Sequence, residues 1–264
     1  MRAMDLKPTW YDAIAKRVSR RRYSPREVGA ELRERLAAHI SAAGVLGGAR
    51  VCLVEDAGET LFTGVLGGYG AVAGAPLTAA FLGRETAKGQ SESDVGYLGE
   101  AFILEATELG LGTCWVAGSF DRERAARVVA LEPGERVVAI PPLGYPTERQ
   151  PVVERLVRSA VRASARLPVE QLAPGILDGG WPQWAVTAVH AARLAPSGRN
   201  WQPWRFRLDG ASLVTSRAAD LYWTAPIDLG IARLHVALGA AHDGVRGTWD
   251  ELPAPDVARF TPSG

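Results

Sequence analysis

The sequence predicts an α+β fold in two related halves, and three observations predict it. Apolar residues recur at helical spacing in several stretches, separated by short β-branched runs and by turns containing Gly and Pro. The stretch DVGYLGEAFILEATELGLGTCW from Asp94 returns as DLGIARLHVALGAAHDGVRGTW from Asp228. Asp94/Asp228, Gly96/Gly230, Leu104/Leu238, Ala106/Ala240, Gly110/Gly244 and Trp115/Trp249 are identical at a constant offset of 134, the mark of a degenerate internal duplication. Finally, 264 residues that are 47% hydrophobic and 22% charged suffice for a full core, as one large domain or two interlocked lobes.

The elements follow in order. From Trp10, WYDAIAKRVSRRRYSPREV puts Ile14 and Val18 on one helical face. Ser24-Pro25 then cap and open a second helix through REVGAELRERLAAHISAAG. ARVCLVED reads as a strand, and GGYGAVAGAPLTAAFLG as a glycine-rich bend and a buried strand. DVGYLGEAFILEATELGLG is a helix with Leu98, Phe102, Ala106 and Leu109 inward; TCWVAGSF and RVVAIPPLGYP complete the first half. TERQPVVERLVRSAVRASARLPVEQL reads as a basic amphipathic helix linking the halves up to Leu167-Pro168. The second half repeats helix, loop and strand in WPQWAVTAVHAARLAPSGRNWQPWRFRLD, matching ELRERLAAHISAAGVLGGARVCLVED in layout but not in loop chemistry. The expected division is residues 1–168 and 169–264, the halves packed on each other.

Several function classes are set aside by composition. A net charge of +1 and a pI near 7.8 give no electrostatic footprint for nucleic acid or a membrane surface. With no apolar leader and no long apolar run, the expected location is the cytoplasm. Cys52 and Cys114 sit in apolar runs without a CxxC and read as plain buried thiols. His235 and His242, seven apart, lack the spacing and third ligand of a metal site, so no metal is expected. No G-x-S-x-G occurs. Gly68 to Ala73 formally spell G-x-G-x-x-A, but Gly74 and Pro76 follow where a dinucleotide-binding turn needs a helix.

Three stretches carry chemistry. In KRVSRRRYS, Arg17, Ser19 and Arg21 alternate, so an extended backbone sets two guanidinium groups and a hydroxyl on one side, an arrangement suited to an anion. The alternative is a solvated basic run. In LAPSGRNWQPWRF, Pro196 fixes the backbone and Gly198 permits close approach, while Ser197, Asn200 and Gln202 offer neutral polar groups to a planar ligand rather than a metal. Helix capping plus a strand start is the plainer reading, and it accounts for Gly198 only. In GLGTCWVAGSFD, a small-residue bend at Ala117-Gly118 could present backbone N–H groups to a heterocycle, or simply connect a strand to a helix.

Together these stretches resemble the flavin-dependent nitroreductase family. RVSRRRY is similar to its Arg-x-Ser-x-Arg-x-aromatic element, APSGRNWQPWRF to its Pro-Ser-x-x-Asn-x-Gln-Pro-Trp element, and GLGTCWVAGSFD to its Gly-Leu-Gly-Thr-Cys-Trp element. The resemblance covers nearly the whole chain and is to the fused branch, in which one chain imitates the family's usual homodimer and keeps one composite site. It implies a nitroreductase-like α+β fold of two duplicated halves, each a mostly antiparallel sheet with helices, forming an intramolecular pseudo-dimer and a monomer with one FMN per chain.

Residue by residue, the resemblance implies that Arg17 and Ser19 hold phosphate and ribityl oxygens. Arg21 would lie near the pyrimidine edge and stabilise reduced flavin, and Arg166 would supply a second cation for the phosphate. Val116, Ala117 and Gly118 would offer backbone groups along the ring. Pro196, Ser197, Gly198 and Asn200, with Gln202 less directly, would close the site from the other half. Tyr69 and Gly70 are expected where the family has a polar ring contact. The activity implied is ping-pong hydride transfer from NADH or NADPH through flavin N5 to a small-molecule acceptor such as a nitroaromatic or quinone, with no protein acid or base dominating. A binding protein without turnover and a flavin dehydrogenase of a metabolite are the alternatives.

Overall fold

The computed structural model describes residues 4–54, 61–62, 72–86, 89–147, 165–218 and 222–263. The chain divides into two compact units, one of Met1–Ala15 with Ser164–Gly264 and the other of Lys16–Ala163. The N-terminal helix is thus grouped with the C-terminal segment.

In the Lys16–Ala163 unit, α2 (Ala30–Ala43) leads to β1 (Ala49–Val54), β2 (Leu77–Thr86) and the short β3 (Gly89–Gln90). Next come α3 (Glu92–Glu108), β4 (Gly112–Thr113), α4 (Arg122–Val128), β5 (Glu135–Ala139) and β6 (Pro142–Gly144). The sheet runs β1-β2-β6-β4 with β3 and β5 also on β2, all antiparallel. Its core joins Val54, Leu61, Phe62, Leu82, Cys114, Val116, Phe120 and Val137. At its edge Arg50 grips Glu135 through two hydrogen bonds of 2.7 and 2.6 Å, which holds that carboxyl down at about 2.

The other unit contains α1 (Thr9–Lys16, its first seven residues), α5 (Val169–Leu172), α6 (Gln183–Arg193) and a 3-10 turn at Gly198–Asn200. β7 (Trp204–Asp209), β8 (Ser212–Arg217), α7 (Ala225–His242), β9 (Gly247–Glu251) and β10 (Asp256–Pro262) follow. Its antiparallel sheet runs β7-β8-β10-β9, the same succession of hairpin, late strand and post-helix strand as β1-β2-β6-β4. The repeated segments form α3 and α7, both buried on every side along most of their length rather than on one stripe. Asp94 and Asp228, paired by the repeat, both approach a glycine of the preceding helix-to-strand loop. A Cβ on Gly47 would fall 2.0 Å from Asp94 Oδ2, and Asp228 Oδ2 accepts the Gly198 N–H at 2.8 Å.

Four local expectations change. α1 ends at Lys16, so Val18 lies outside it, because the chain from Ser19 to Tyr23 pairs with other strands instead. α2 starts at Ala30 with Gly29 as its N-cap. Ser24 Oγ does accept the Arg26 N–H at 3.3 Å, but the Ser24 N–H donates to Tyr145 O at 2.8 Å, which keeps the backbone in the extended pairing. The expected linking helix lies mostly outside the described residues, and Ala165–Pro168 at its end are not helical. Leu109, expected inward, caps α3 half-buried.

Candidate functional site

The basic segment is fixed by backbone pairing. The Arg20 N–H donates to Thr113 O at 2.7 Å, so Ser19 runs parallel to the GLGTCW stretch, and Arg22 bridges Ala73 through Ala73 N–H to Arg21 O (2.9 Å) and Tyr23 N–H to Ala73 O (3.0 Å). Buried Tyr23 locks the far end by donating its hydroxyl to Arg20 O. The segment is therefore an ordered strand-like bridge, not a loose charged run. Arg17 lies at its start with 7% of its side chain exposed, Nε 3.7 Å from Oε1 of the fully buried Glu100. Glu100 Oε2 also accepts Trp115 Nε1–H at 2.7 Å, and Trp115 packs edge-on against Phe81. One carboxylate thus ties the basic segment to the GLGTCW stretch, a role that no motif spacing signals.

After Trp115, the Val116 carbonyl accepts the Ile140 N–H at 2.8 Å and the Ala117 carbonyl accepts Arg122 Nη2 at 3.3 Å, while Gly118 is exposed. These carbonyls serve the unit itself. Asp121 caps α4 by accepting the Arg124 N–H at 2.9 Å, as the Gly-Ser-Phe-Asp run suggests. Tyr69 and Gly70 lie outside the described residues.

In the other unit the loop after α6 is wound by local bonds. Asn200 N–H donates to Ser197 O, Trp201 N–H to Gly198 O and Gln202 N–H to Ser197 Oγ, each at 3.0 Å. Arg199, Asn200 and Gln202 have φ of 48°, 58° and 51°. Left-handed non-glycine residues cost about 1 kcal/mol or more each, so three within four positions require firm surroundings. Asp228, buried on the first turns of α7, provides one anchor: besides the Gly198 N–H it accepts the Tyr222 hydroxyl at 2.6 Å. Burial and that carboxylate push the Tyr222 phenol well above its usual range, so it remains a donor. A Cβ on Gly198 would meet Thr224 Oγ1 at 2.7 Å, which explains the glycine.

Asn200 and Gln202, expected to face a ligand, have their amides engaged inside the unit with Ala165, Arg166 and Leu167. Trp201 is half exposed, lies edge-on to Tyr222 and carries Arg199 over its ring. His235 and His242 go separate ways: buried His235 sets Nδ1 3.0 Å from Ala191 O, and His242 stacks on Tyr11. Among the described residues no group of His, Cys, Asp or Glu could hold a metal ion. Nor is any described helix long and apolar enough to cross a membrane.

The donor chemistry of the Arg17–Arg21 segment suits an anionic group such as the phosphate of FMN. Ser19 and Arg21 lie on a segment fixed by backbone bridges, and Arg17 Nε at its start is a buried donor with no hydrogen-bond acceptor among the described residues. Glu100 partly balances that charge without hydrogen-bonding it.

Fold and site elements define an α+β protein of nitroreductase type. The family model described as "Putative TM nitroreductase" matches residues 9–240, and the chain belongs to that family. Among solved structures, the chain is similar to a protein of Thermotoga maritima described as a putative nitroreductase. The identity is 20% and the TM-score 0.63, over 98% of this chain and 96% of that one, a likeness that shows the fold. It is also similar to a nitroreductase family protein of Clostridium difficile 630, at 22% identity and a TM-score of 0.46, over 61% of this chain and 94% of that one. An FMN-dependent nitroreductase of Clostridium difficile R20291 is 22% identical with a TM-score of 0.41, over 52% of this chain and 88% of that one. No curated protein matches the chain.

Proposed function

We propose that the chain is an FMN-dependent oxidoreductase that takes electrons from NADH or NADPH and passes them to a small-molecule acceptor such as a nitroaromatic or quinone. The observation that carries this reading is the ordered segment that follows Arg17, whose buried Nε has no hydrogen-bond partner among the described residues, in a chain of the nitroreductase family. Bound FMN supplies the two-electron chemistry. Arg17 and Ser19 hold its phosphate and ribityl oxygens, and Arg21 places positive charge where negative charge gathers on reduction. Small residues at Ala117 and Gly118 let a planar ligand approach the backbone. No side chain need exchange a proton with the acceptor. One FMN per chain, in a monomer, completes the proposal.

The test is a titration of flavin-free protein with FMN. Arg21→Ala is expected to weaken binding about tenfold or more and to make the bound flavin harder to reduce, since bonds to charged groups are worth about 1.5–3 kcal/mol. Unchanged affinity and potential would remove Arg21 from the site. Stoichiometry in the same titration reads the number of sites, and two FMN per chain would contradict the single-site proposal.

A further inference from the structure

The segment from Ser19 to Ser24 has a second face. Ser24 N–H donates to Tyr145 O at 2.8 Å and Thr147 N–H to Arg22 O at 3.5 Å, so Tyr23 runs opposite Pro146, Arg22 opposite Thr147 and Ser24 opposite Tyr145. Side chains alternate along an extended backbone, which puts Arg20, Arg22 and Ser24 on the side away from Ser19, Arg21 and the buried Tyr23. Directly opposed residues share a side, so Tyr145 joins this outer face. Arg26 joins it too, its guanidinium 4.1 Å from the Tyr145 ring centroid and its backbone N–H bonded to Ser24 Oγ at 3.3 Å. The stem of Arg20 lies along Gly112, where a Cβ would come within 3.2 Å of Arg20 Cβ and 3.1 Å of its Cγ. Arg22 and Arg26 are exposed and Arg20 is half-buried.

These three guanidinium groups are set apart by their lack of counter-charge. In the same unit Arg50, Arg84, Arg124 and Arg136 each pair with a carboxylate. Among the described residues Arg20, Arg22 and Arg26 pair with none, and stacking on Tyr145 uses the face of the Arg26 guanidinium rather than its N–H rim. Three like charges on one short face repel one another, and a multiply charged anion relieves that repulsion. A phosphomonoester suits the face well, since it carries close to two negative charges at neutral pH and offers three oxygens to guanidinium forks.

We propose that Arg20, Arg22 and Arg26 form a phosphomonoester site for the 2′-phosphate of NADPH, and so select NADPH over NADH, which lacks that group, as the electron donor. The assignment to an electron donor rests on the oxidoreductase reading above; the phosphomonoester site rests on the outer face itself.

The test is calorimetric binding of adenosine 2′,5′-bisphosphate, which carries that phosphate, and of adenosine 5′-monophosphate, which lacks it, to the full chain. The bisphosphate should bind about tenfold or more tighter, as expected for hydrogen bonds to charged groups. Arg22→Gln and Arg26→Gln should each reduce this preference about threefold or more, and the triple variant Arg20→Gln/Arg22→Gln/Arg26→Gln should abolish it. Arg127→Gln, which removes an exposed charge on α4, should leave it unchanged. Equal affinity for the two compounds in the unaltered chain, a preference that survives the triple change, or an equal loss in Arg127→Gln would overturn the proposal. In the FMN-loaded chain the triple change should lower the ratio of kcat/KM for NADPH to that for NADH about tenfold or more, and an unchanged ratio would overturn the assignment to the donor. A chain that binds no FMN but keeps the bisphosphate preference contradicts the flavin reading and the donor assignment while supporting the phosphomonoester site.

Discussion

Glu100→Leu is expected to destabilise the protein by about 3–5 kcal/mol in chemical denaturation, because removing one partner of a buried charge pair leaves the other uncompensated. The carboxylate is fully buried, accepts the Trp115 indole N–H and faces an Arg17 side chain that is itself 7% exposed. Leucine would leave both without it. Glu100→Gln keeps an acceptor for Trp115 and should lose less. In Arg17→Leu/Glu100→Leu both charges go, and much of the stability should return, since a buried pair replaced by apolar side chains is often neutral. Wild-type stability in Glu100→Leu would show that the pair does not bind the basic segment to the GLGTCW stretch. The double variant should also bind FMN more weakly than wild type, having lost the Arg17 donor.

Gly239→Val should cost about 3 kcal/mol or more, through overpacking between α6 and α7. Any Cβ at this position would lie 2.6 Å from Ala188 Cα, and 2.9 Å from both Ala188 N and Thr187 O. These are backbone atoms that cannot swing aside, so the helices must separate. α6 leads into the 194–202 loop and α7 carries Asp228, which holds Gly198, so the separation would also loosen the loop. Gly180→Ala, with nothing within 4 Å of the added carbon, is the control and should change stability by no more than about 0.5 kcal/mol. A thermal unfolding scan separates the two; equal midpoints would contradict the close helix contact.

Much of the architecture was legible because apolar spacing reports burial directly. The repeat starting at Asp94 and Asp228 marks α3 and α7, and the matching strand orders accompany it. Local chemistry was misleading where tertiary pairing competes with it. Ser24-Pro25 reads as a helix start, but the Ser24 N–H is bound to Tyr145, far along the chain. Residue type identified the polar groups of the loop but not the direction in which they point. Asn200 and Gln202 suit a ligand and a peptide segment equally well, and only the fold brings Arg166 to them. Glu100 gave no signal, since it is one of several acidic residues in α3 and nothing in its spacing betrays its partners Arg17 and Trp115.

Turnover is what separates the proposed flavin oxidoreductase from a flavin-binding protein. Its most direct test is to mix the FMN-loaded protein with NADH or NADPH under anaerobic conditions and follow the visible flavin absorbance. The band is expected to bleach with at least one of the two and to return when a nitroaromatic or quinone is added. A band left unchanged by both nucleotides would contradict it.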